Sequence, residues 1–268
     1  MKKLLLSAFV ICLAGTSIAQ ESPLWMRHCA LSPDGTTIAF TYKGDIYTVP
    51  STGGRATQIT TNPAFDTEPV WSPDSKQIAF ASDRMGSLDV FVVSSEGGAP
   101  QRLTTHSGSE KPVAYKDNKH ILFTANIAPS AEDAGFPSGQ FQQVYEVAVT
   151  GGRPAMFSSM PMECISINKE GVMLYQDKKG YEDYWRKHQV SPIARDIWTY
   201  TPGKKPVYQK QTTFGGEDRE PVWSPDGKSF YYLSEEKGSF NIFQRTPGTT
   251  TSQQITFHTK HPVRFLSI

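Results

Sequence analysis

Apolar and polar positions along this chain alternate in short runs, the spacing of strands rather than helices. Residues 38–41, 78–82, 121–124, 172–175 and 230–233 are apolar and rich in β-formers. Each follows a turn, and three of these turns are nearly identical: SPDGTTIAF from Ser32, SPDSKQIAF from Ser72 and SPDGKSFYY from Ser224. Serine opens such a turn, proline presets φ, aspartate tolerates the third place, and glycine takes the left-handed fourth. Looser copies, KDNKHILF from Lys116 and NKEGVMLY from Asn168, put Asn118 and Gly171 at the left-handed place; Ser75 fits it poorly.

The rest of the unit repeats too. After the apolar strand comes a polar–aliphatic–aromatic triplet: Asp45-Ile46-Tyr47, Asp89-Val90-Phe91, Gln143-Val144-Tyr145, Asp196-Ile197-Trp198 and Asn241-Ile242-Phe243. Gly-Gly pairs at 53–54, 97–98 and 151–152 predict hairpins, and QIT, RLT and QIT from Gln58, Arg102 and Gln254 close several units. A first strand precedes each turn, as EPVWS at Glu68 and Glu220 and more loosely EKPVAY at Glu110. The turn acids Asp34, Asp74, Asp117, Glu170 and Asp226 stand 40, 43, 53 and 56 residues apart. Four short antiparallel strands at that period define β-propeller blades. The expected fold is therefore all-β, with five complete blades; the first has strands at 24–31, 36–41, 45–49 and 56–60. The two long spacings hold insertions, a small-residue and proline-rich stretch at 125–142 and an aromatic–basic one at 177–195. The second gathers Tyr181, Tyr184, Trp185, Arg186, Lys187 and His188. It reads first as a loop packing its own aromatics, and second as a binding hot spot.

The first 19 residues read as an export signal: Lys2 and Lys3, an apolar stretch at 4–14 too short to span a bilayer, then small residues at 15, 17 and 19. Cleavage is expected between Ala19 and Gln20, leaving a β-propeller over 20–268 in an exported, periplasmic protein. A lipid attachment at Cys12 ranks below simple secretion, because Ile11 stands where a small residue is needed. With 27 basic and 26 acidic residues, the chain offers no electrostatic reason to bind nucleic acid or an anionic membrane. Cys29 and Cys164 fall in non-adjacent blades and are expected to be free, buried thiols.

No catalytic, cofactor-binding or metal-ligating residue can be assigned. The G-x-S-x-G elbow, the zinc spacing H-E-x-x-H and phosphate-binding glycine loops are all missing. His28, His106, His120, His188, His258 and His261 are scattered. Repetition marks the SPDG serines and aspartates as turn formers, and Trp71 and Trp223 as packing residues between blades.

EPVWSPDGKSFYYLS…GSFNIFQRT resembles the repeats of TolB-type propellers and of propellers attached to serine peptidases. Export signal, early SPDG blade, YWRKHQVSPIARDIWTY and GGEDREPVWSPDG together are similar to the N-terminal propeller of bacterial tricorn-type peptidases. The resemblance covers essentially the whole mature chain and implies a six-bladed parent propeller, followed by a second propeller, a PDZ domain and catalytic domains that hold the nucleophile. It also implies a non-catalytic access, filtering or scaffold module, with peptides or unfolded segments and the remaining peptidase domains as partners. The alternatives are a stand-alone periplasmic TolB-like interaction propeller and the cap of a prolyl-oligopeptidase-type enzyme. HPVRFLSI, at 261–268, has the form of CISI before the turn at Asn168. It is expected to be the first strand of a sixth blade, which makes the chain five blades and one strand of a longer protein.

Overall fold

The repeated turn is closed by its own side chains. In a computed structural model, which describes residues 25–127, 142–180 and 190–268, Ser32, Ser72 and Ser224 donate through Oγ to Asp34, Asp74 and Asp226 at 2.6, 2.7 and 2.6 Å. Each aspartate also accepts a backbone N–H from two residues on, at Thr36, Lys76 and Lys228. The serine hydroxyls hold all three carboxyls below the ordinary aspartate range, with the backbone donors adding to the effect. These acids are therefore committed to folding, as expected from their repetition. The left-handed fourth place is real: Gly35, Gly171 and Gly227 have φ of 73°, 78° and 68°, and Ser75 is forced to 59°. Ser75→Gly is expected to raise stability by about 1 kcal/mol or less, read as a higher Tm. A lower Tm would mean that the 3.3 Å bond from Asp34 N–H to Ser75 Oγ outweighs the strain. Asn118 departs from expectation and is not left-handed. Its blade pairs His120 directly with Asp117, so the turn is tighter, and the Asn118 amide oxygen instead accepts the N–H of Asp74 in the preceding blade at 3.1 Å.

Every regular element among the described residues is a strand, and the strands form five four-stranded antiparallel sheets. Blade one holds β1 (Arg27–Leu31), β2 (Thr37–Tyr42), β3 (Asp45–Pro50) and β4 (Thr57–Gln58). Blade two holds β5 (Asp66–Trp71), β6 (Gln77–Ser82), β7 (Asp89–Ser94) and β8 (Gln101–Arg102). Blade three holds β9 (Glu110–Asp117), β10 (His120–Ala125), β11 (Gln143–Ala148) and β12 (Ala155–Ser158). Blade four holds β13 (Met162–Ile167), β14 (Met173–Asp177), β15 (Ile197–Thr201) and β16 (Val207–Lys210), and blade five β17 (Asp218–Trp223), β18 (Phe230–Ser234), β19 (Asn241–Arg245) and β20 (Ser252–Gln254). The stretch expected to be an export signal and the aromatic cluster at 181–188 lie outside the described residues, as does most of the 125–142 insertion.

The threonine that ends QIT-like segments fastens the outer strand to the third. Thr60, Thr104, Thr212 and Thr256 accept through Oγ1 from the N–H of Ile46, Val90, Ile197 and Ile242 at 2.9–3.0 Å. Thr256 returns its own proton to Asn241 at 3.0 Å, and Thr60 to Asp45 at 3.3 Å. In blades one and five the residue that opens the third-strand triplet, Asp45 or Asn241, supplies the acceptor for this latch.

Alternation puts one row of each blade against the blade before it and the other row against the blade after. Four apolar clusters result, one at each successive junction. Ala39, Ile46 and Ile59 of blade one meet Trp71, Ile78, Phe80 and Phe91 of blade two, and Leu174 and Ile197 of blade four meet Trp223, Phe230, Tyr232 and Phe243 of blade five. The other two follow the same plan. Both tryptophans pack between blades as expected, and their indole N–H groups donate to the Ala30 and Val172 carbonyls of the preceding blades at 2.9 and 3.1 Å.

The seam between blades five and one differs. Residues 261–268 lie in it without forming a strand, although one was expected there. A strand takes its ladder from a neighbour's backbone, whereas two contacts of this segment run through side chains. Leu266 N–H donates to Glu220 Oε2 at 2.9 Å, and Leu31 N–H donates to Ser267 Oγ at 2.8 Å. Ile255 is 39% exposed at this seam, while its counterparts Ile59 and Leu103 are 6% and 4% exposed.

Candidate functional site

The innermost strand of most blades breaks its ladder at the same point. Register shifts fall at Arg27/Ala30, Thr67/Val70, Glu163/Ser166 and Arg219/Val222. At each break a non-glycine residue adopts left-handed φ: His28 at 50°, Glu68 at 56°, Cys164 at 51° and Glu220 at 50°. Phe265, in the seam segment, has φ of 59°. In blade three the place belongs to Lys111, whose next residue is Pro112. Left-handed backbone costs these side chains about 1–2 kcal/mol each. A bulge of this kind re-aims a side chain away from the regular sheet face.

The re-aimed side chains meet around the propeller axis. Lys111 Nζ of blade three lies 2.6 Å from Glu68 Oε1 of blade two, and the His28 and Phe265 rings are 4.7 Å apart. The Cys164 thiol of blade four feels the charges of Glu220 in blade five and Glu68 in blade two. A second layer lies behind Cys164. Glu163 pairs with Lys178 at 3.0 Å and Arg195 at 3.3 Å, and Arg195 reaches Glu217, which also holds Arg219 at 2.8 Å. Gln176 joins the layers by donating to Glu163 Oε2 and accepting the N–H of Glu220, at 3.0 and 2.8 Å.

Crowding by protein sets the electrostatics. Burial lowers the His28 pKa, with Lys111 and Arg27 adding to the effect and Glu68 opposing it. Burial raises Glu220, against the backbone N–H groups of Leu266 and Phe265. It also pushes at Glu163, but Lys178 and Arg195 outweigh it and hold that carboxyl below its ordinary range. Cys29 and Cys164 are free, and both are exposed rather than buried. The bulge turns Cys164 into the axial lumen, while Cys29 lies at the seam, its Sγ 3.1 Å from the Phe265 carbonyl oxygen. Cys164 is solvent-accessible yet enclosed by protein, so its thiol pKa rises well above the usual value, chiefly through desolvation and then through Glu220, Glu163 and Glu68. A thiol so raised is a poor nucleophile.

The ring can grip and orient a polar chain through carboxylates, cations and two aromatic rings. Among the described residues, no group of three or more His, Cys, Asp or Glu side chains is placed to hold a metal ion. A cleft of about 350 Å³ opens elsewhere, between blades one and two, lined by Ser32, Asp34, Arg55, Ile59 and Trp71 among others. Ser32 and Asp34 are engaged in their turn, and Ile59 and Trp71 in the junction core. The axial ring is therefore the better candidate site. Sequence reasoning missed it, although counting four back from Ser32, Ser72, Asn168 and Ser224 finds His28, Glu68, Cys164 and Glu220.

Five four-stranded blades around an axial ring make this a β-propeller. The chain belongs to the tricorn protease N-terminal beta propeller domain family, whose pattern matches residues 23–268. It is 39% identical over 213 residues to tricorn protease homolog 1 of Streptomyces coelicolor, covering 79% of this chain and 19% of that protein. The solved tricorn protease superposes with a TM-score of 0.75 at 17% identity, over 92% of this chain and 24% of that one. A TolB-type structure from Agrobacterium tumefaciens gives a TM-score of 0.68 at 14% identity, over 87% and 81% of the two chains. At such identities the two structural likenesses speak for the fold alone. The chain spans less than a quarter of the length of both tricorn relatives. No helix among the described residues is long and apolar enough to cross a membrane.

Proposed function

We propose that this propeller is the non-catalytic access and filtering module of an exported tricorn-like serine peptidase, and that unfolded peptide segments engage its axial ring. The observation that carries this reading is the recurrence of a left-handed residue at one place in four of the five blades. Strained backbone persists where the surrounding structure imposes it, and it clusters at functional sites. Here the strain turns His28, Glu68, Cys164, Glu220 and Phe265 toward one lumen, where Lys111 pairs with Glu68. Export through cleavage after Ala19 and a sixth blade filling the seam belong to the same proposal. The under-covered Ile255, and the half-buried Tyr231 and Ile242 beside the seam, support the sixth blade.

Peptide hydrolysis tests the reading. The chain purified to homogeneity should turn over no peptide, and the longer peptidase should do so. Filling the lumen of that longer protein with Cys164→Trp should slow cleavage of long unfolded substrates about tenfold while sparing tripeptides. Turnover by the chain alone, or equal slowing of both substrate sizes, contradicts the proposal. The likeness to a TolB-type protein over 81% of its length favours a second reading, a stand-alone interaction propeller. Absence of any peptidase activity from the natural full-length product would select it.

A further inference from the structure

Three blade junctions each bring two carboxyl groups together. Asp66, Glu110 and Asp218 open the inner strands of blades two, three and five, and their N–H groups donate to Gly44, Leu88 and Arg195 of the preceding blades at 2.7, 2.7 and 3.1 Å. Facing them are Asp45, Asp89 and Asp196, the acids that open or immediately precede the third strands of those preceding blades. Each facing pair repels, and all of these acids except Asp45 are buried.

The pairs differ in their cations. Asp66 is gripped by both oxygens through Arg84, at 3.0 and 2.9 Å. At the second-to-third junction the cation is Arg102, and it lies on Asp89 at 2.8 Å. Glu110 accepts the His106 N–H at 3.3 Å, faces the Thr104 hydroxyl and meets Asp89 in a carboxyl–carboxyl hydrogen bond. At the fourth-to-fifth junction Lys179 and Lys210 both bind Asp196. Lys179 is shared with Asp177 at 3.5 Å, a third carboxyl whose pKa burial raises and which Asp196 repels, so two lysines face three acids. Asp218 faces the Thr212 and Ser234 hydroxyls, with Asp196 and Glu236 as its charged neighbours. Glu236 stands two residues after Ser234, the place Arg84 holds after Ser82 in blade two. Other charges near this junction have partners of their own: Glu217 with Arg195 and Arg219, Glu235 with the Glu217 N–H, and Glu236 with Lys237.

We propose that the second-to-third and fourth-to-fifth blade junctions are proton-linked, each closing with one proton on its carboxyl pair and loosening when that proton is released. Two buried carboxyls that share a site and too few cations cannot both ionise without penalty. In agreement, burial pushes Glu110 and Asp218 up to about 7 each; Asp89, and Asp196 with Glu236, add to this, while hydroxyl and backbone donors oppose it. In an opened junction the same carboxyl is solvated and titrates near its ordinary value of about 4. The closed junction therefore holds the extra proton between about pH 4 and 7. Closing is favoured most at the acid end of that window, weakens as pH rises through it, and levels off above 7.

Amide hydrogen exchange read by mass spectrometry and corrected for intrinsic rates tests this on the whole chain. Between pH 5 and 7.5 the opening constants at β9 and β17 should rise by about tenfold or more. Asp218→Asn should abolish the rise at β17 and leave it at β9; Glu110→Gln should do the converse. Should one variant fail to fold, the other still separates the two junctions. Opening constants that do not change with pH at either strand, or that change equally in the substituted chains, overturn the proposal.

Discussion

Replacing Arg84 with methionine is expected to destabilise the propeller by about 3–5 kcal/mol, the usual consequence of stranding a buried charge. At about 2–4 °C per kcal/mol, Tm should fall by roughly 10 °C. Arg84 forks onto both oxygens of Asp66, a residue with no exposed surface, and its Nε donates to Ser82 at 2.8 Å. Its guanidinium also lies over Phe91 at 4.5 Å and Phe80 at 5.5 Å. Methionine keeps much of the packing on those rings, so the loss reports the carboxylate left behind. Adding Asp66→Asn should restore more than half of the stability. A single substitution with little effect, or a double variant no better than the single, would show that Asp66 is compensated by something other than Arg84.

Trp223→Ala should be about as damaging, at about 3–5 kcal/mol, since truncating a large core aromatic loses transfer energy and leaves a cavity. The indole fills the fourth-to-fifth junction against Phe230, with ring centroids 6.2 Å apart at 80°, and bonds the Val172 carbonyl. Trp223→Phe should cost less, because it keeps most of the volume and loses the 3.1 Å hydrogen bond. Chemical denaturation of the two variants checks the order. Equal losses would mean that the hydrogen bond, rather than the filled volume, dominates at this position.

What could be read in the chain was what local chemistry imposes. The SPDG turns carry their own hydrogen bonds, so three near-identical copies located them and their period gave the blade. Ser75 looked like a poor fit and is indeed held at left-handed φ. The interblade place of Trp71 and Trp223 followed from their repetition. The axial ring was not legible, because His, Glu, Cys and Phe carry no mark of a left-handed bulge. Only the tertiary register, set by each inner strand against its neighbour, puts the backbone there. The same bulge reversed the expectation for the thiols. Alternation alone sends Cys164 into a sheet face, and a slip of one residue sends it to the lumen. The contrast between Arg84 and Glu236 was visible as two letters. Its meaning needs the burial of Asp66 and Asp218, which no periodicity supplies. The seam segment 261–268 matched the inner-strand pattern, yet it settles through the Glu220 carboxylate and the Ser267 hydroxyl instead of a ladder.

The most direct measurement is a protection experiment on the two native thiols. The chain is treated with a small alkylating reagent, with and without a saturating unfolded polypeptide, and modification of Cys164 and Cys29 is followed by mass spectrometry. Cys164 faces the lumen and Cys29 lies at the seam, so each serves as the reference for the other. If the axial ring receives extended polypeptide, alkylation of Cys164 slows at least severalfold, and by more than that of Cys29, whose thiol touches the ring only through the Phe265 carbonyl. An unchanged Cys164 rate under saturating polypeptide would contradict the account.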